Sequence, residues 1–228
     1  MAHREFKDRV YAQFARVGAA LANEKRLELI DVLGQAPRNV EALARETGMS
    51  VANTSQHLQA LKAAHLVETE RDGNRVVYRL AGEEVLALWL SLQGAAESQL
   101  AEVGQLVRDF GVGAVASERL RDVELGRRAQ RDGLVLVDVR PRLEYESGHL
   151  PGAIAMPLDE LEERLAELPQ DKRVVVYCRG KYCQFADEAV SLLRRHGIEA
   201  VRLEGGWPQW ALEHRREKRG SRGAALRE

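Results

Sequence analysis

The spacing of apolar residues changes partway along this chain, and that change constrains the fold more than any other feature. Up to about residue 110, apolar residues recur every three or four positions, as in helices that bury one face. From residue 134 onward, short apolar runs at residues 134–137, 173–177 and 198–203 alternate with predicted helices at residues 158–168 and 185–195. Strands that alternate with helices predict a parallel sheet with helices on both faces. The sequence therefore predicts two domains, the first mainly α and the second α/β.

The N-terminal half is predicted to contain four helices, a hairpin and a further helical region. Gly48-Met49-Ser50 joins the third helix to the fourth as a helix-turn-helix, and Ser50 is a suitable N-cap. Alternating segments on either side of Asp72-Gly73 predict a β-hairpin, which would form a wing beside the helices. The expected helical ranges are residues 4–22, 24–33, 40–47, 51–64 and 83–110, and the expected hairpin strands are residues 66–70 and 75–80.

The run from Thr54 to Val67 resembles the ArsR-type winged-helix repressors of bacteria. It matches that family's usual pattern SxHLxxLxxAGLV, except that His65 stands where glycine is usual. The resemblance covers roughly residues 8–95. It implies a homodimer that binds a double-stranded DNA operator, with the first and last helices of the domain at the dimer interface.

The fourth predicted helix has a polar face that suits the DNA major groove. Leu58 and Leu61 would face the core, so that amide and hydroxyl side chains face outward to read base edges, while Lys62 can reach a phosphate. Because residues 1–82 carry 12 Lys and Arg against 10 Asp and Glu, a net charge of only +2, positive charge has to be concentrated by geometry and dimerisation. A winged helix that contacts only other proteins is the alternative. The expected DNA-binding residues are Asn53, Thr54, Ser55, Gln56, His57, Gln59 and Lys62 on the helix, and Arg71, Asn74 and Arg75 in the wing.

Both cysteines of the chain, Cys178 and Cys183, fall in one short loop between a predicted buried strand and a predicted helix that begins near Gln184. A loop at such a junction points successive backbone N–H groups at one spot, next to the positive end of the helix dipole. Arg179 and Lys181 add two cations. We expect this environment to lower the thiol pKa and to hold an anion beside the sulfur.

Residues 115–212 resemble a rhodanese domain, and three motifs carry the resemblance. They are Val137-Asp138-Val139-Arg140 followed by Glu144-Tyr145 and Gly148-His149-Leu150-Pro151-Gly152-Ala153, the loop that begins at Cys178, and Leu203-Glu204-Gly205-Gly206-Trp207-Pro208-Gln209-Trp210. In that family the first loop cysteine accepts sulfane sulfur from a donor such as thiosulfate and passes it to a thiol acceptor. The resemblance implies that Cys178 is the nucleophile, that Asp138 and Arg140 support the loop, and that the anionic donor is bound by Arg179, Gly180, Lys181 and Tyr182.

The loop departs from the rhodanese pattern at its end. Many rhodaneses close this loop with an arginine, whereas Cys183 occupies that place here. Cys183 is therefore a candidate resolving thiol, which would attack a persulfide or sulfenic acid on Cys178 and close a disulfide. The alternative is that Cys183 only packs the loop.

No metal, no cofactor and no membrane contact are expected. Many ArsR-type metal sensors bind their metal through cysteines on the third helix or through histidine and aspartate on the last one. Here the third helix has no thiol, and residues 83–110 contain no histidine. No apolar run reaches about 18 residues, and the charged N-terminus lacks the apolar core of a signal peptide. A cytoplasmic protein is therefore expected.

The two halves together predict a bacterial DNA-binding transcriptional regulator whose rhodanese domain carries a reactive cysteine. That cysteine would accept sulfane sulfur from a thiosulfate, persulfide or polysulfide donor and pass it to a thiol acceptor, or would sense oxidants. The alternative is a thiosulfate-type sulfurtransferase in which the winged helix serves mainly as an anchor or dimeriser. The expected limits are residues 1–110 for the winged-helix domain, 111–114 for a hinge, 115–214 for the rhodanese-like domain and 215–228 for a charged tail.

Overall fold

The structure is a computed structural model of the chain, and it describes residues 2–113, 115, 117–118, 133–169 and 172–215. It separates into two compact units, Met1–Leu92 and Gln93–Glu228. This division lies before the predicted hinge at residues 111–114. Within the second unit, Gln184 donates to the carbonyl of Phe110 at 3.4 Å, and the backbone N–H of Gly113 donates to Asp187 at 3.0 Å. Residues 114 and 216–228 lie outside the described residues, so the predicted hinge and tail stay predictions.

The first unit begins with four helices, which confirm the predicted order of elements. Three of them start at a side chain that accepts a backbone N–H from three residues further on, and those N-caps are Asn23, Asn39 and Ser50. Local capping of this kind explains why the helix starts could be predicted from the sequence. The helices are α1 (Ala2–Leu21), α2 (Glu24–Gln35), α3 (Val40–Glu46) and α4 (Val51–Ala63).

A small antiparallel sheet follows α4 and forms the predicted wing. Strand β2 (Val67–Asp72) pairs with β3 (Arg75–Leu80) around a two-residue turn, and Gly73 in that turn has a φ of +57°. A third strand, β1 (Arg38–Asn39), pairs with the other edge of β3. It was not predicted, because two residues are too short to show an alternating pattern. The core under this sheet is built from fully buried Leu29, Ile30, Leu43, Leu58 and Leu61.

The predicted helical region at residues 83–110 is two helices. Helix α5 (Glu83–Gln99) is followed by α6 (Ala101–Asp109), and the chain leaves helical geometry at Leu100, where φ is −111° and ψ is 105°. Within the described part of the chain, no helix is long and apolar enough to cross a membrane.

The second unit contains a five-stranded sheet whose strands all run parallel, as predicted. The two central strands of apolar sequence are buried along their whole length, which is typical of parallel strands covered on both faces. The strand order is β4-β8-β7-β5-β6. The strands are β4 (Ser117–Glu118), β5 (Val135–Asp138), β6 (Ile154–Ala155), β7 (Val174–Cys178) and β8 (Ala200–Gly206).

Among the described residues, three helices follow the strands of this sheet: α7 (Arg142–Ser147), α8 (Phe185–Arg195) and α9 (residues 207–215). Helix α8 buries the stripe Ala186, Ala189, Val190 and Leu193 against the sheet, at the spacing expected for one helical face. The sheet thereby places the C-terminal end of β7, with Cys178 as its last residue, beside the start of α8.

The predicted helix at residues 158–168 is wrong. This segment is a series of turns that ends in a short 3₁₀ helix, Leu165–Glu167. Its hydrogen bonds span three residues, as in the bond from the Arg164 N–H to the Leu161 carbonyl at 3.2 Å. Leucines spaced three and four residues apart can be buried on one side of a series of turns as well as on one face of an α-helix. The spacing alone therefore did not distinguish turns from a helix.

Candidate functional site

Helix α4 presents the polar face that was expected to read DNA, with one exception. Asn53, Gln56, Gln59 and Lys62 are exposed, and Ser55 and His57 are partly exposed. Thr54 is fully buried, and its hydroxyl donates to the Ser50 carbonyl at 2.9 Å. The expectation that Thr54 faces the groove is therefore wrong, because residues 54, 58 and 61 fall on one helical stripe that packs into the core.

The wing carries exposed cations next to this helix. Arg71, Asn74 and Arg75 are exposed around the hairpin turn. Lys62 of α4 donates to the hydroxyl of Thr69 in β2 at 2.8 Å, so the expected phosphate contact has to compete with this hydrogen bond. The resulting surface combines amides that can read base edges with arginines that can contact phosphates.

Helix α4 ends at a strained residue. His65 has a φ of +58°, in the left-handed region that favours glycine. The N–H of Leu66 then donates back to the Leu61 carbonyl at 3.0 Å, which closes the helix. The sequence departed from the ArsR-type pattern at this position, and the backbone still adopts the conformation that a glycine would have.

Helix α1, and the part of α5 that lies in the first unit, expose large apolar side chains. On α1, Phe6 and Phe14 are 68% and 64% exposed. On α5, Leu88 and Leu92 are exposed as well. Apolar side chains grouped on helix surfaces in this way suit a protein–protein interface.

The thiol loop, residues 178–183, connects β7 to α8 and is closed by a hydrogen bond from the Cys183 N–H to the Gly180 carbonyl at 3.2 Å. Its backbone lies against the glycine-rich end of β8. A Cβ atom at Gly206 would stand 2.5 Å from the carbonyl oxygen of Cys178 and 2.7 Å from that of Arg179. Only glycine fits there, so the motif at residues 203–210 shapes the thiol loop directly.

The thiol of Cys178 is buried, with 1% of the residue exposed. Its sulfur lies 3.6 Å from the Cys183 carbonyl oxygen and 3.8 Å from the Gly180 carbonyl oxygen. Burial, together with the hydrogen bond and charge of Cys183, raises the pKa of Cys178 well above its usual value. The prediction that the loop lowers the pKa of this thiol is wrong, because β7 carries Cys178 too deep into the core.

The low-pKa thiol of the pair is Cys183, which is partly exposed. A hydrogen bond from the Cys178 thiol lowers the pKa of Cys183 to about 7, against the opposing effect of burial. The backbone N–H groups of Phe185 and Arg179 point at the same sulfur and lower its pKa further. Backbone amides of the loop therefore act on both sulfurs, because the backbone hydrogen bond of Gly180 also opposes the rise in the pKa of Cys178.

Both cations of the thiol loop are paired with carboxylates. Arg179 Nη2 lies 2.6 Å from Oε1 of Glu144, whose side chain is fully buried. Lys181 and the hydroxyl of Tyr182 both donate to the carboxylate of Glu97, within the second unit. Burial and the hydrogen bond to Glu97 also raise the pKa of Tyr182. The structure places the four residues that were expected to bind an anionic donor in this loop: Arg179, Gly180, Lys181 and Tyr182. The two cations among them, however, already form ion pairs with acidic side chains.

A buried arginine supports the loop, and sequence reasoning missed it. Arg202 of β8 is 3% exposed, and its Nη2 donates to the carbonyls of Gly180 at 3.1 Å and Lys181 at 2.6 Å. Its Nη1 lies 2.5 Å from Asp187 of α8. An arginine inside an otherwise apolar strand was the available signal, since a buried charge requires partners.

Asp138 and Arg140, predicted to support the loop, form a fully buried ion pair with 2.6 Å between Oδ2 and Nη2. Arg140 also donates to the Gly148 carbonyl at 2.7 Å, and its guanidinium lies 5.7 Å from the ring centroid of Tyr177. These contacts hold the residue that precedes Cys178. Among the described residues, no group of three or more His, Cys, Asp or Glu side chains is placed to hold a metal ion.

Comparisons with known proteins match both units. Residues 23–69 match the model of the bacterial regulatory protein, arsR family, and residues 122–213 match the rhodanese-like domain. The HTH-type transcriptional regulator Rv0324 of Mycobacterium tuberculosis is 46% identical over 200 residues, which cover 88% of each chain. A sulfurtransferase of Allochromatium vinosum is 34% identical over 37% of this chain and 78% of its own length.

A solved structure resembles the first unit. It is the homodimeric winged helix-turn-helix DNA-binding domain of Mb0332 from Mycobacterium bovis, described as a possible ArsR-family transcriptional regulator. The two chains are 48% identical where they align, over 41% of this chain and 87% of that one, with a TM-score of 0.40.

Proposed function

This chain belongs to the HTH-type transcriptional regulators that join an ArsR-family helix-turn-helix unit to a rhodanese-like domain, and we propose that its thiol loop is the chemical sensor of that regulator. The Cys178–Cys183 pair would accept sulfane sulfur from a persulfide or polysulfide donor, or respond to oxidants. The observation that carries this proposal is the placement of two free thiols in the loop of residues 178–183, where the Cys178 sulfur lies 3.6 Å from the Cys183 carbonyl oxygen. The change in the loop would then alter operator binding, in the bacterial cytoplasm where the DNA lies.

The exposed face of α4 supports sequence-specific DNA binding. Asn53, Gln56 and Gln59 offer amide groups that can pair with base edges in the major groove. Arg71 and Arg75 of the wing would contact the phosphate backbone and add affinity that depends on salt concentration. We propose that these residues form the operator-binding surface.

A homodimer would cover the exposed apolar side chains of α1 and α5. Phe6, Phe14, Leu88 and Leu92 together offer the kind of surface that a second copy of the chain buries. A twofold dimer would also present two α4 helices to half-sites about one DNA turn apart. A dimer would therefore bury these apolar side chains and would bring the positive charge of two copies to the DNA.

The charge state of the loop favours sensing over rapid turnover of thiosulfate. Thiosulfate is a dianion and needs unpaired cations beside the nucleophile. Arg179 and Lys181 are instead paired with Glu144 and Glu97. A persulfide or a short polysulfide needs less cationic stabilisation, so we propose this class as the sulfur donor, with a low-molecular-weight thiol as the acceptor that resets the loop.

The decisive experiment measures operator binding by fluorescence anisotropy, with DNA selected from a random pool by the reduced protein. Wild type, Cys178→Ser and Cys183→Ser are each compared with and without polysulfide. The proposal expects polysulfide to lower the affinity of the wild type at least about tenfold, a coupling of about 1.4 kcal/mol, and to leave both variants unchanged. Equal affinities in all six measurements would refute it.

A sulfurtransferase is the second candidate, because the rhodanese-like unit matches a relative with that name. It would show robust turnover of thiosulfate or 3-mercaptopyruvate and no preference for any DNA sequence. Full regulation by a Cys178→Ala, Cys183→Ala double variant would instead make the second unit a passive binding or assembly module.

A further inference from the structure

We propose that Glu97 of α5 couples the thiol loop to operator binding: it binds the loop in the reduced protein, and sulfur loading of Cys178 breaks that contact. Glu97 belongs to the connecting segment, residues 93–113, which comprises the end of α5, helix α6 and the turns after it. This inference rests on the proposed sulfur-sensing function and assigns the route by which the modified loop acts on the DNA-binding dimer.

Glu97 accepts hydrogen bonds from two side chains of the thiol loop. The ammonium group of Lys181 donates to one carboxylate oxygen, and the hydroxyl of Tyr182 donates to the other. The side chain of Glu97 is 28% exposed, so this ion pair is partly shielded from water and is stronger than a fully exposed pair. Both contacts lie within the second unit. They fix the middle of the thiol loop to the last turn of α5.

The other end of the connecting segment is bound just beyond the same loop. The side chain of Gln184, the residue after the loop, donates to the Phe110 carbonyl at 3.4 Å. The N–H of Gly113 donates at 3.0 Å to Asp187, in the first turn of α8. The connecting segment is therefore held at both ends by residues of the thiol loop or residues that directly follow it.

A buried arginine joins this second contact to the loop itself. The Asp187 oxygen that accepts from Gly113 also pairs with Arg202. The guanidinium of Arg202 donates in turn to the carbonyls of Gly180 and Lys181. A movement of these two peptide groups therefore disturbs the contacts at both ends of the connecting segment.

Between these contacts, the connecting segment has little packing of its own. Helix α6 contains no buried residue among those described, and Leu106 and Phe110 are 56% and 70% exposed. A short helix that buries little apolar surface gains little stability from packing and opens readily. The order of this segment therefore depends on its end contacts with the thiol loop.

The reduced loop leaves no space for a sulfur atom on Cys178. This residue is 1% exposed, and its sulfur lies 3.6 Å from the Cys183 carbonyl oxygen and 3.8 Å from that of Gly180. A new S–S bond is about 2 Å long, so the turn at Gly180 has to move outward both to admit the donor and to hold the added atom. Because Lys181 directly follows Gly180, this movement draws it away from Glu97.

The loading step needs no oxidant. Cys178 gives up its proton, and its sulfur attacks the outer sulfur of a persulfide RS–SH. The S–S bond of the donor breaks, and RS⁻ leaves with the electron pair and takes up the proton that Cys178 gave up. The products are RSH and a persulfide on Cys178, so one sulfur atom is transferred and the number of S–S bonds stays the same.

Helix α5 connects this contact to the proposed dimer surface through the chain itself. It runs without a break from Glu83 to Gln99, so one helix contains both Glu97 and the exposed Leu88 and Leu92. The bound state of Glu97 holds the end of this helix, and the loaded loop is compatible only with the released state. Sulfur loading therefore shifts the population toward the released state, and operator binding would favour the bound one.

Hydrogen–deuterium exchange of the full chain measures the release, with glutathione persulfide as the donor. In the wild type, amides of residues 100–110 should exchange at least about tenfold faster after loading, while those of α2, in the core of the first unit, stay unchanged. Glu97→Ala should exchange fast already when reduced and change no further on loading. Glu102→Ala, at a residue of α6 with no described hydrogen bond to the thiol loop, should behave as the wild type.

Charge reversal separates a specific contact from a general loosening of the segment. Glu97→Lys and Lys181→Glu each place like charges together, so each should lower the affinity of the reduced protein for the selected operator at least about tenfold. The double variant restores opposite charges. It should regain both the affinity of the wild type and its response to persulfide, as measured by fluorescence anisotropy.

The outcomes distinguish this inference from the proposed function. If Glu97→Ala keeps slow exchange and the full response to persulfide, the role of Glu97 is overturned and sulfur sensing stands. The same holds if the loaded wild type loses operator affinity without faster exchange at residues 100–110. If the wild type takes up no sulfur, the sensing function is refuted, and this inference is refuted with it.

Discussion

Arg179 in the thiol loop forms a two-pronged ion pair with Glu144 of α7, with Nη2 2.6 Å and Nε 3.0 Å from the same carboxylate oxygen. The carboxylate is fully buried, while the arginine is 16% exposed. The contact joins two segments 35 residues apart in the chain. It fixes the residue that follows Cys178 to α7.

Glu144→Gln should therefore destabilise the second unit by about 3 kcal/mol, because it leaves a largely buried guanidinium without its counter-charge. The measurement is urea unfolding of the full chain in a Trp89→Phe background, followed by the fluorescence of Trp207 and Trp210, which lie in this unit. Glu160→Gln is the matched control, because Glu160 pairs with Arg142 and Arg164 at the surface, and its loss should be much smaller. Equal losses for the two variants would contradict the prediction.

The backbone conformation of His65 predicts a substitution that increases stability. Its φ of +58° costs a non-glycine residue about 1 kcal/mol, so His65→Gly should stabilise the first unit by about that amount. Gly48, at a φ of +64° with no neighbouring atom near its Cβ position, offers the reverse test. Gly48→Ala should destabilise the same unit by about 1 kcal/mol, and thermal unfolding measures both. An unchanged or lowered midpoint for His65→Gly would show that the histidine side chain compensates for the strain.

The sequence predicted most of the fold because the signals for it are local. Side-chain caps such as Ser50 mark helix starts, and apolar runs mark the buried strands β5 and β7. Strand β1 and the turns at residues 158–168 were missed or misassigned for the same reason. A two-residue strand and a chain of tight turns leave no periodic pattern that differs from their alternatives.

The position of the candidate site was predicted from the sequence, but the charged partners of its residues were not. The motifs located the loop at residues 178–183, yet its partners Glu97, Glu144 and Arg202 come from elements far away in the chain. No spacing in a single sequence shows such pairings. The burial of Cys178 could not be predicted either, because it depends on how the end of β7 packs in the folded sheet.

The polar face of α4 predicts how operator binding should respond to substitution. Gln56→Ala should weaken binding to the selected operator by about 1–3 kcal/mol and leave binding to unrelated DNA almost unchanged, because an exposed amide reads base edges. Arg75→Ala should weaken both alike and reduce the salt dependence by about one counterion, because the wing would contact phosphate. Anisotropy titrations at several salt concentrations separate these effects. Loss of affinity for unrelated DNA in Gln56→Ala would contradict base reading by this residue.

The low pKa of Cys183 predicts a pH-dependent contribution to stability. The folded pKa is about 7, below that of an unfolded thiol at about 8.5, so the folded state binds fewer protons between these values. Stability from this group is therefore full above about pH 8.5 and is lost as the pH falls through about 7. Relative to Cys183→Ser, the reduced wild type should gain about 1 kcal/mol between about pH 6.5 and about pH 8.5 in urea unfolding. Parallel pH curves for the two proteins would count against a thiolate at Cys183.

Arg202 supplies the last prediction, because its guanidinium reaches the loop from β8. Arg202→Met removes the donor from the carbonyls of Gly180 and Lys181 and the partner of Asp187, so it should cost about 3 kcal/mol of stability. A looser loop would no longer aim the N–H groups of Arg179 and Phe185 at Cys183, so the midpoint of Cys183 alkylation should move to higher pH.

The alkylation midpoint separates positioning of the loop from general stability. Arg194→Met provides the matched control, because Arg194 also donates to a backbone carbonyl of β8, that of Ala200 at 2.9 Å, and none of its described hydrogen bonds reaches the thiol loop. This variant should lower stability while the alkylation midpoint stays near that of the wild type. A midpoint that moves equally in both variants would mean that the thiolate depends on the rigidity of the whole unit, and not on the contacts of Arg202 with the loop.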